Sequence, residues 1–156
     1  MSRLINNLNR LAYWLAWPFF WLGFHGSQRA KVFVFYNGKA AMVNGWVSDG
    51  SWDLPGGGIG ARETAAEAAG RELEEELGLK LEKADIIFVG THPCRHHRIP
   101  TTIHYFYTCL SVQPTIKRRR FEIRSTAWLS VDELAALPSP IVTEGLALLK
   151  AANLLQ

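Results

Sequence analysis

Cysteine is scarce in this sequence, with Cys94 and Cys109 as the only two among 156 residues. Two cysteines cannot form a disulfide framework, and their spacing is not that of a C-x-x-C metal or redox motif. A chain of this length can bury a hydrophobic core without disulfide or metal support. We therefore expect a globular protein suited to a reducing compartment, most simply the cytoplasm.

The sequence also lacks a strong charge of either sign, because 17 basic and 14 acidic residues leave a net charge of +3. This excess is too small for the basic surface of a typical nucleic-acid-binding domain, so no specific nucleic acid binding is expected. It suits a polyanionic small molecule or an acidic membrane surface. Hydrophobic residues make up 48% of the chain, which is ordinary for a folded protein and excludes extensive disorder.

The first 28 residues contain no acidic residue, and residues 11–24 form an uncharged run rich in Trp and Phe. This run is shorter than the about twenty residues that a membrane-spanning helix needs. Leucines at helical spacing predict an amphipathic helix whose residues 4–24 contact a membrane interface or a second copy of the chain. Two alternatives stay open, a helix packed on its own domain and a transmembrane or signal segment. We expect a helical extension over 1–28, a domain over 29–156, and a cytoplasmic protein that reaches the inner face of the membrane.

Downstream of this extension, strand-like and helix-like segments alternate. The predicted strands cover residues 30–36, 40–47, 84–92, 101–112 and 121–130. The predicted helices cover residues 61–77, a short segment capped by Ser130, and residues 140–156, and a polar loop is expected over 92–100. Strands on both sides of the long helix predict the α/β class, as an α/β/α sandwich around a mixed β-sheet.

Acidic residues are concentrated behind a glycine-rich loop, in the segment GGGIGARETAAEAAGRELEEELGL that begins at Gly56. Within its predicted helix, Glu72, Glu75 and Glu76 are spaced at i, i+3 and i+4, so their side chains project from one face. Like charges this close repel each other, and a hard divalent cation such as Mg²⁺ would relieve the repulsion. A solvated acidic face is the alternative. Glycine is unfavourable in the middle of a helix, so the presence of Gly70 indicates that the helix packs closely against the glycine loop at this position.

This segment resembles the signature of the Nudix hydrolases: a glycine, five residues, a glutamate, seven residues, then Arg-Glu-aliphatic-x-Glu-Glu-x-Gly-aliphatic. Every fixed position is filled, from Gly57 and Glu63 to the run between Arg71 and Leu79. The preceding WDLPGG also looks like the family's approach to this motif. The resemblance implies a Nudix-like sandwich downstream of the N-terminal extension.

The resemblance also implies roles for the motif residues. The implied metal ligands are Gly56, through its carbonyl, Glu72, Glu75 and Glu76. The implied structural residues are Gly57, Glu63, Arg71 and Gly78. Glu67 lies four residues before Arg71 and is expected to support it.

By the same resemblance, the chain would use Mg²⁺ or Mn²⁺ to hydrolyse the pyrophosphate linkage of a nucleoside diphosphate joined to another moiety. Such a substrate could be a nucleoside triphosphate, a nucleotide sugar or a dinucleotide. The implied catalytic residues are Glu75, Glu76 and Glu122. Glu122 precedes Trp128 by six residues, where family members often add a ligand or general base, and an exposed strand carboxylate is its alternative. The alternative function is a non-catalytic Nudix-fold module that senses a nucleotide or is recruited to a membrane.

The predicted loop over 92–100 gathers the basic side chains of Arg95, His96, His97 and Arg98. We expect this group to contact the phosphates or base of the substrate. A plain polar loop is one alternative, and a zinc site that pairs Cys94 with His97 is another.

Overall fold

The computed structural model describes residues 27–46, 50–96, 99–117 and 123–155. The amphipathic helix predicted within residues 4–24 lies outside these ranges. Ser27, assigned above to the N-terminal extension, instead begins the first strand. None of the helices in the described ranges combines the length and the apolar character that crossing a membrane requires.

The described residues form five strands and three α-helices. The strands are β1 (Ser27–Tyr36), β2 (Lys39–Gly45), β3 (Ile87–His96), β4 (Ile99–Leu110) and β5 (Ile123–Ser130). The helices are α1 (Ala65–Leu77), α2 (Val131–Ala135) and α3 (Pro140–Ala151), and a 3₁₀ turn covers Lys83–Asp85. The strands form one sheet in the order β3-β4-β1-β2-β5, in which β1 and β4 are parallel and the other neighbours are antiparallel.

Strand β1 supplies side chains to a hydrophobic core on each face of the sheet, because successive strand residues point to opposite faces. Val32 and Val34 pack with the buried residues of α1. Phe33 and Phe35 pack with the buried residues of α2 and α3. Helices therefore cover both faces, which confirms the predicted α/β/α sandwich around a mixed sheet.

Strands β1 and β2 separate beyond their turn, and the segment 53–58 of the glycine-rich loop fills the gap between them. On the β1 side, the Val32 N–H donates to the Pro55 carbonyl at 3.0 Å. On the β2 side, Val43 and Asp53 exchange two backbone hydrogen bonds of 2.9 Å each. The loop backbone is thus bonded to both strands, which fixes its position relative to the sheet.

The prediction of a loop over residues 92–100 is wrong for most of that segment. Strand β3 continues to His96 and β4 begins at Ile99, and their antiparallel pairing includes Cys94 with Thr101. The polar composition of this segment suggested a loop. Backbone pairing between two long strands does not require apolar side chains, however, and the ladder extends through them.

The expectation that Gly70 packs closely against the glycine loop is also wrong. A Cβ atom at Gly70 would meet only Ile86 Cδ1 within 4 Å, at an ordinary contact distance of 3.8 Å. A Cβ atom at Gly145 in α3 would lie 2.5 Å from Phe33 Cε2 and 2.8 Å from Tyr105 Cε1. Gly145 therefore allows α3 to approach the sheet, whereas alanine fits at Gly70.

We predict that Gly70→Ala raises the free energy of unfolding by about 0.5–1 kcal/mol, because alanine loses less backbone entropy in a helix. Gly145→Ala should lower it by about 1–3 kcal/mol, because the new methyl group overlaps two aromatic rings. Urea denaturation of both variants measures the two effects. Destabilisation by Gly70→Ala would contradict the open space described beside this residue.

Candidate active site

The local sequence at both ends of α1 fixes the direction of its acidic face. At the N-terminus, Thr64 and Glu67 form a capping box in which each side chain accepts a hydrogen bond from the other residue's backbone N–H. At the C-terminus, Gly78 adopts the left-handed conformation with φ of 70°, and its N–H donates to the Glu74 carbonyl at 3.0 Å. Because the apolar face, which includes Leu73, is buried on the sheet, the face with the catalytic candidates lies beside the loop.

Arg71 joins the glycine-rich loop to α1 through several hydrogen bonds. Its Nε donates to Glu63 Oε1 at 2.9 Å, and its Nη2 donates to Glu63 Oε2 at 3.1 Å. The same Nη2 donates to the Gly58 carbonyl at 3.0 Å. These bonds hold the pKa of the Glu63 carboxyl below its usual range and raise the pKa of Arg71. The planar guanidinium thereby fixes the loop at one distance from the helix.

Arg71 also contacts two of the predicted metal ligands. Its Nη1 donates to Glu72 Oε1 at 2.8 Å and lies 3.5 Å from Glu75 Oε2. The Glu72 carboxyl packs so closely on the loop that a Cβ atom at Gly57 would overlap it. Arg71 therefore offsets part of the repulsion within the cluster, and Gly57 gives the Glu72 carboxyl its space.

Glu76 is a largely enclosed carboxylate of the cluster. Its Oε2 accepts a hydrogen bond from the Gly56 N–H at 2.8 Å. Burial raises the pKa of Glu76 to about 7, although the nearby Lys31 and the Gly56 N–H favour the charged form. Gly56 has a φ of 129°, and a Cβ atom there would overlap the Ala30 carbonyl, so glycine is required. The Glu76 carboxylate therefore lacks a full counter-charge in this arrangement.

Lys31 is a buried cation of the site that sequence reasoning missed. Its Nζ donates to Asp53 Oδ2 at 2.8 Å, to the Leu54 carbonyl at 2.7 Å and to the Gly56 carbonyl at 3.0 Å. Only 2% of Lys31 is exposed. A lysine within the otherwise apolar segment of residues 30–35 was the available signal, because such a residue is buried only with partners.

The loop and α1 enclose one side of a cleft of about 460 Å³. Its lining includes Gly56, Gly57, Gly58, Glu72, Glu75, Glu76, Asp53, Arg29 and Lys31. The structure thus brings the predicted carboxylates and Gly56 to one cleft. These groups offer only oxygen atoms as ligands, which is the donor set that hard divalent cations prefer.

In the described part of the chain, no three Asp, Glu, His or Cys side chains converge on one point as they would around a metal ion. Arg71 holds Glu72 and lies close to Glu75, and Lys31 binds the Gly56 carbonyl. Protein cations thus interact with oxygen atoms of the predicted metal ligands. The donors are all oxygen atoms, and burial raises the pKa of the Glu76 carboxyl, so the chemistry of these residues fits a divalent cation although their side chains do not converge.

Several predicted site residues lie wholly or partly outside the part of the chain that the structure describes. Glu122, His97 and Arg98 lie outside the described residues, as do the side chains of Arg95 and His96, whose backbone belongs to β3.

The expected support of Arg71 by Glu67 is wrong. Glu67 instead accepts hydrogen bonds from Lys83 at 2.8 Å and from the Thr64 N–H at 2.9 Å, and these bonds together lower the pKa of Glu67 to about 2. The capping box turns the Glu67 carboxylate back toward the helix N-terminus, which explains the difference.

Comparison with known families identifies the class of protein. The model of the NUDIX domain matches residues 27–149, so this chain belongs to the NUDIX family. The match confirms the family that the glycine and glutamate motif indicated.

Individual relatives match over different lengths. Nudix hydrolase 10 of Arabidopsis thaliana is 27% identical over 134 residues, which cover 82% of this chain and 47% of that protein. An RNA pyrophosphohydrolase of Erythrobacter litoralis is 49% identical over 47 residues, which cover 30% of this chain and 29% of that protein. The chain therefore spans less than half the length of either curated relative.

Solved structures share the fold. The crystal structure of a C. elegans Ap4A hydrolase binary complex matches with a TM-score of 0.68 at 16% identity, covering 83% of this chain and 97% of that one. At this identity the likeness establishes the arrangement of strands and helices. The mixed sheet with helices on both faces is thus the NUDIX fold.

The raised pKa of Glu76 predicts a pH-dependent stability of the metal-free protein. Between its ordinary pKa of 4.5 and about 7, the folded chain binds the Glu76 proton more tightly than the unfolded chain does. The free energy of unfolding should therefore fall as pH rises through this window, by up to about 3 kcal/mol. Glu76→Gln should remove this component, as measured by urea denaturation in EDTA at several pH values.

Glu74→Gln is the matched control for this measurement, because Glu74 is an exposed carboxylate on the same helix. It should leave the pH dependence of the wild-type protein in place. If the free energies of unfolding of Glu76→Gln and the wild type changed in parallel across this pH window, burial of the Glu76 charge would not be the cause of the pH dependence.

Proposed function

We propose that this chain is a metal-dependent hydrolase that cleaves the pyrophosphate linkage of a nucleoside diphosphate joined to another moiety. The observation that carries the proposal is that Glu72, Glu75, Glu76 and Gly56 line one cleft in a NUDIX domain. The substrate classes considered are nucleoside triphosphates, nucleotide sugars and dinucleotides.

The names of two similar proteins support the type of bond that we propose this chain cleaves. One is an RNA pyrophosphohydrolase and one solved structure is an Ap4A hydrolase. Both names describe phosphate anhydrides attached to a nucleoside, although the rest of each substrate differs. We therefore assign the bond that is cleaved and leave the attached moiety to a substrate panel.

We propose Mg²⁺ or Mn²⁺ as the cofactor, held by Gly56, Glu72, Glu75 and Glu76. All four supply oxygen, which both cations accept. When bound, the cation neutralises phosphate charge and lowers the pKa of a coordinated water molecule.

The residues of the chain hold this constellation in place. The Gly56 N–H orients the Glu76 carboxylate, and Arg71 holds Glu72 against the loop. The backbone at Gly58 leaves open space, since a Cβ atom there would meet nothing within 4 Å, and phosphates can approach it. A carboxylate accepts the proton of the attacking water. Glu122 is our candidate for this step, with Glu75 and Glu76 as the other candidates.

A panel of nucleoside diphosphate compounds, with phosphate release measured after phosphatase coupling, tests the proposal. Activity should require Mg²⁺ or Mn²⁺ and disappear in EDTA. On the substrate found, Glu75→Gln or Glu76→Gln should lower kcat by at least about a hundredfold, because an amide does not supply the ligand charge. Wild-type turnover by either variant at saturating Mg²⁺ would refute the assignment.

Two variants complete this experiment. Glu74→Gln should retain wild-type kcat, because Glu74 lies outside the cleft lining and contacts Lys80. Glu122→Gln should lower kcat by a smaller factor than Glu75→Gln or Glu76→Gln does. General-base catalysis contributes about 10²–10⁴-fold, so we expect the loss to lie within or below that range. A change of less than about threefold would assign the base to the residues of α1.

We also propose that residues 1–26, which precede β1, form a separate extension that recruits the domain to the inner face of the membrane. Trp and Phe side chains prefer the membrane interface. The full-length chain should then sediment with anionic vesicles. Replacement of Trp14, Trp17 and Trp21 by serine should reduce this binding, whereas equal sedimentation of both proteins would reject the proposal. A concentration-dependent dimer that the same replacements dissociate would assign the segment to self-association.

A further inference from the structure

The lining of the cleft contains two cations within the described residues, Arg29 and Lys31. Both belong to β1, and residues two apart on a strand point to the same face of the sheet. They are therefore neighbours with the same sign of charge at one side of the cleft. They differ in the hydrogen bonds that their side chains make with the protein.

Lys31 uses all of its donors within the protein. An ammonium group has three N–H donors, and those of Lys31 match three acceptors on Asp53, Leu54 and Gly56. No donor is left for a ligand. Lys31 is thus an internal cation that holds the loop segment 53–56 against β1.

Arg29 has an unused donor. Its Nε is buried, and within residues 27–46, 50–96, 99–117 and 123–155 it has no hydrogen-bond partner. A buried donor without an acceptor is unfavourable, and native proteins keep few of them. Because Arg29 lines the cleft, an oxygen atom of a ligand bound there can supply the missing acceptor.

We propose that Arg29 binds a phosphate oxygen of the substrate, an inference that rests on the proposed function. The planar guanidinium presents parallel N–H donors that match two oxygen atoms of a phosphate. The cleft also carries four carboxylates, on Asp53, Glu72, Glu75 and Glu76, which repel an anionic ligand.

Two other cations beside the loop, Lys31 and Arg71, have protein partners. Lys31 is saturated, and Arg71 directs its nitrogen atoms to Glu63, Glu72 and Gly58. Arg29, in contrast, keeps an Nε–H donor that no described residue accepts, so it is the cation that we assign to the ligand. In this arrangement Lys31 and Arg71 maintain the shape of the site, and Arg29 recognises what enters it.

Binding of inorganic pyrophosphate in the presence of Mg²⁺, measured by calorimetry on the full chain, tests the proposal. Arg29→Gln should weaken pyrophosphate binding by about 10–100-fold, since a charge-assisted hydrogen bond is lost. Arg29→Lys should fall between this variant and the wild type, because it keeps the charge but not the fork. Mn²⁺ binding without pyrophosphate should not weaken in either variant, which separates an anion contact from damage to the metal site.

Lys150→Gln is the control, because it removes one positive charge from an exposed position at the end of α3. It should bind pyrophosphate as the wild type does. Equal pyrophosphate affinity of Arg29→Gln and the wild type would overturn the role of Arg29. If the wild type itself bound neither Mn²⁺ nor pyrophosphate, the proposed function would fail instead.

A measurement on the wild-type protein keeps the test valid if Arg29→Gln does not fold. The Nε–Hε NMR signal of Arg29, assigned by its loss in Arg29→Lys, should shift when Mg²⁺ and pyrophosphate are added together. Addition of Mg²⁺ alone should shift it less. A signal that pyrophosphate leaves unchanged would show that this donor does not contact the ligand.

Discussion

The candidate site depends on the hydrogen bonds that the Arg71 guanidinium donates. The guanidinium binds both oxygen atoms of Glu63, the Gly58 carbonyl and Glu72, so a single side chain connects the loop to α1. A lysine could not replace it, because an ammonium group lacks a rigid fork of donors. The same charge offsets the repulsion between carboxylates that α1 brings to one face. Without Arg71, both the width of the cleft and the spacing of the acids would change.

A second constraint comes from the backbone. The loop segment 53–58 is hydrogen bonded between β1 and β2, and Lys31 binds it from β1. This bonding places the Gly56 N–H at the Glu76 carboxylate across 20 residues of chain. The loop backbone is therefore bonded to both strands, which fixes the position of one wall of the cleft. The burial that this requires raises the pKa of Glu76, so the geometry that fits a cation also destabilises the charged site without one.

Sequence reasoning predicted the parts of this protein that depend on local spacing. The helical face of Glu72, Glu75 and Glu76, the left-handed Gly78 and the Ser130 cap all follow from contacts within about four residues. The family motif extended these local patterns to the fold, and the NUDIX match confirms that step.

The errors and omissions concern contacts between distant segments. The ladder between β3 and β4 overrode the polar composition of residues 92–96. Lys31 contacts residues 22 to 25 positions away, which no local pattern reveals. Arg71 lies at helical spacing from Glu67, but Glu67 accepts a hydrogen bond from Lys83, which lies in the 3₁₀ turn after α1. Helix spacing alone could not decide between Lys83 and Arg71.

The central claim is that the carboxylates of this cleft hold a divalent cation, and Mn²⁺ binding monitored by electron paramagnetic resonance tests it most directly. The measurement needs no substrate and compares the wild type with Glu76→Gln, with Glu74→Gln as the exposed control. The account predicts that wild type and control bind Mn²⁺ alike and that Glu76→Gln binds at least about tenfold more weakly. Equal Mn²⁺ affinity of Glu76→Gln and the wild type would contradict it.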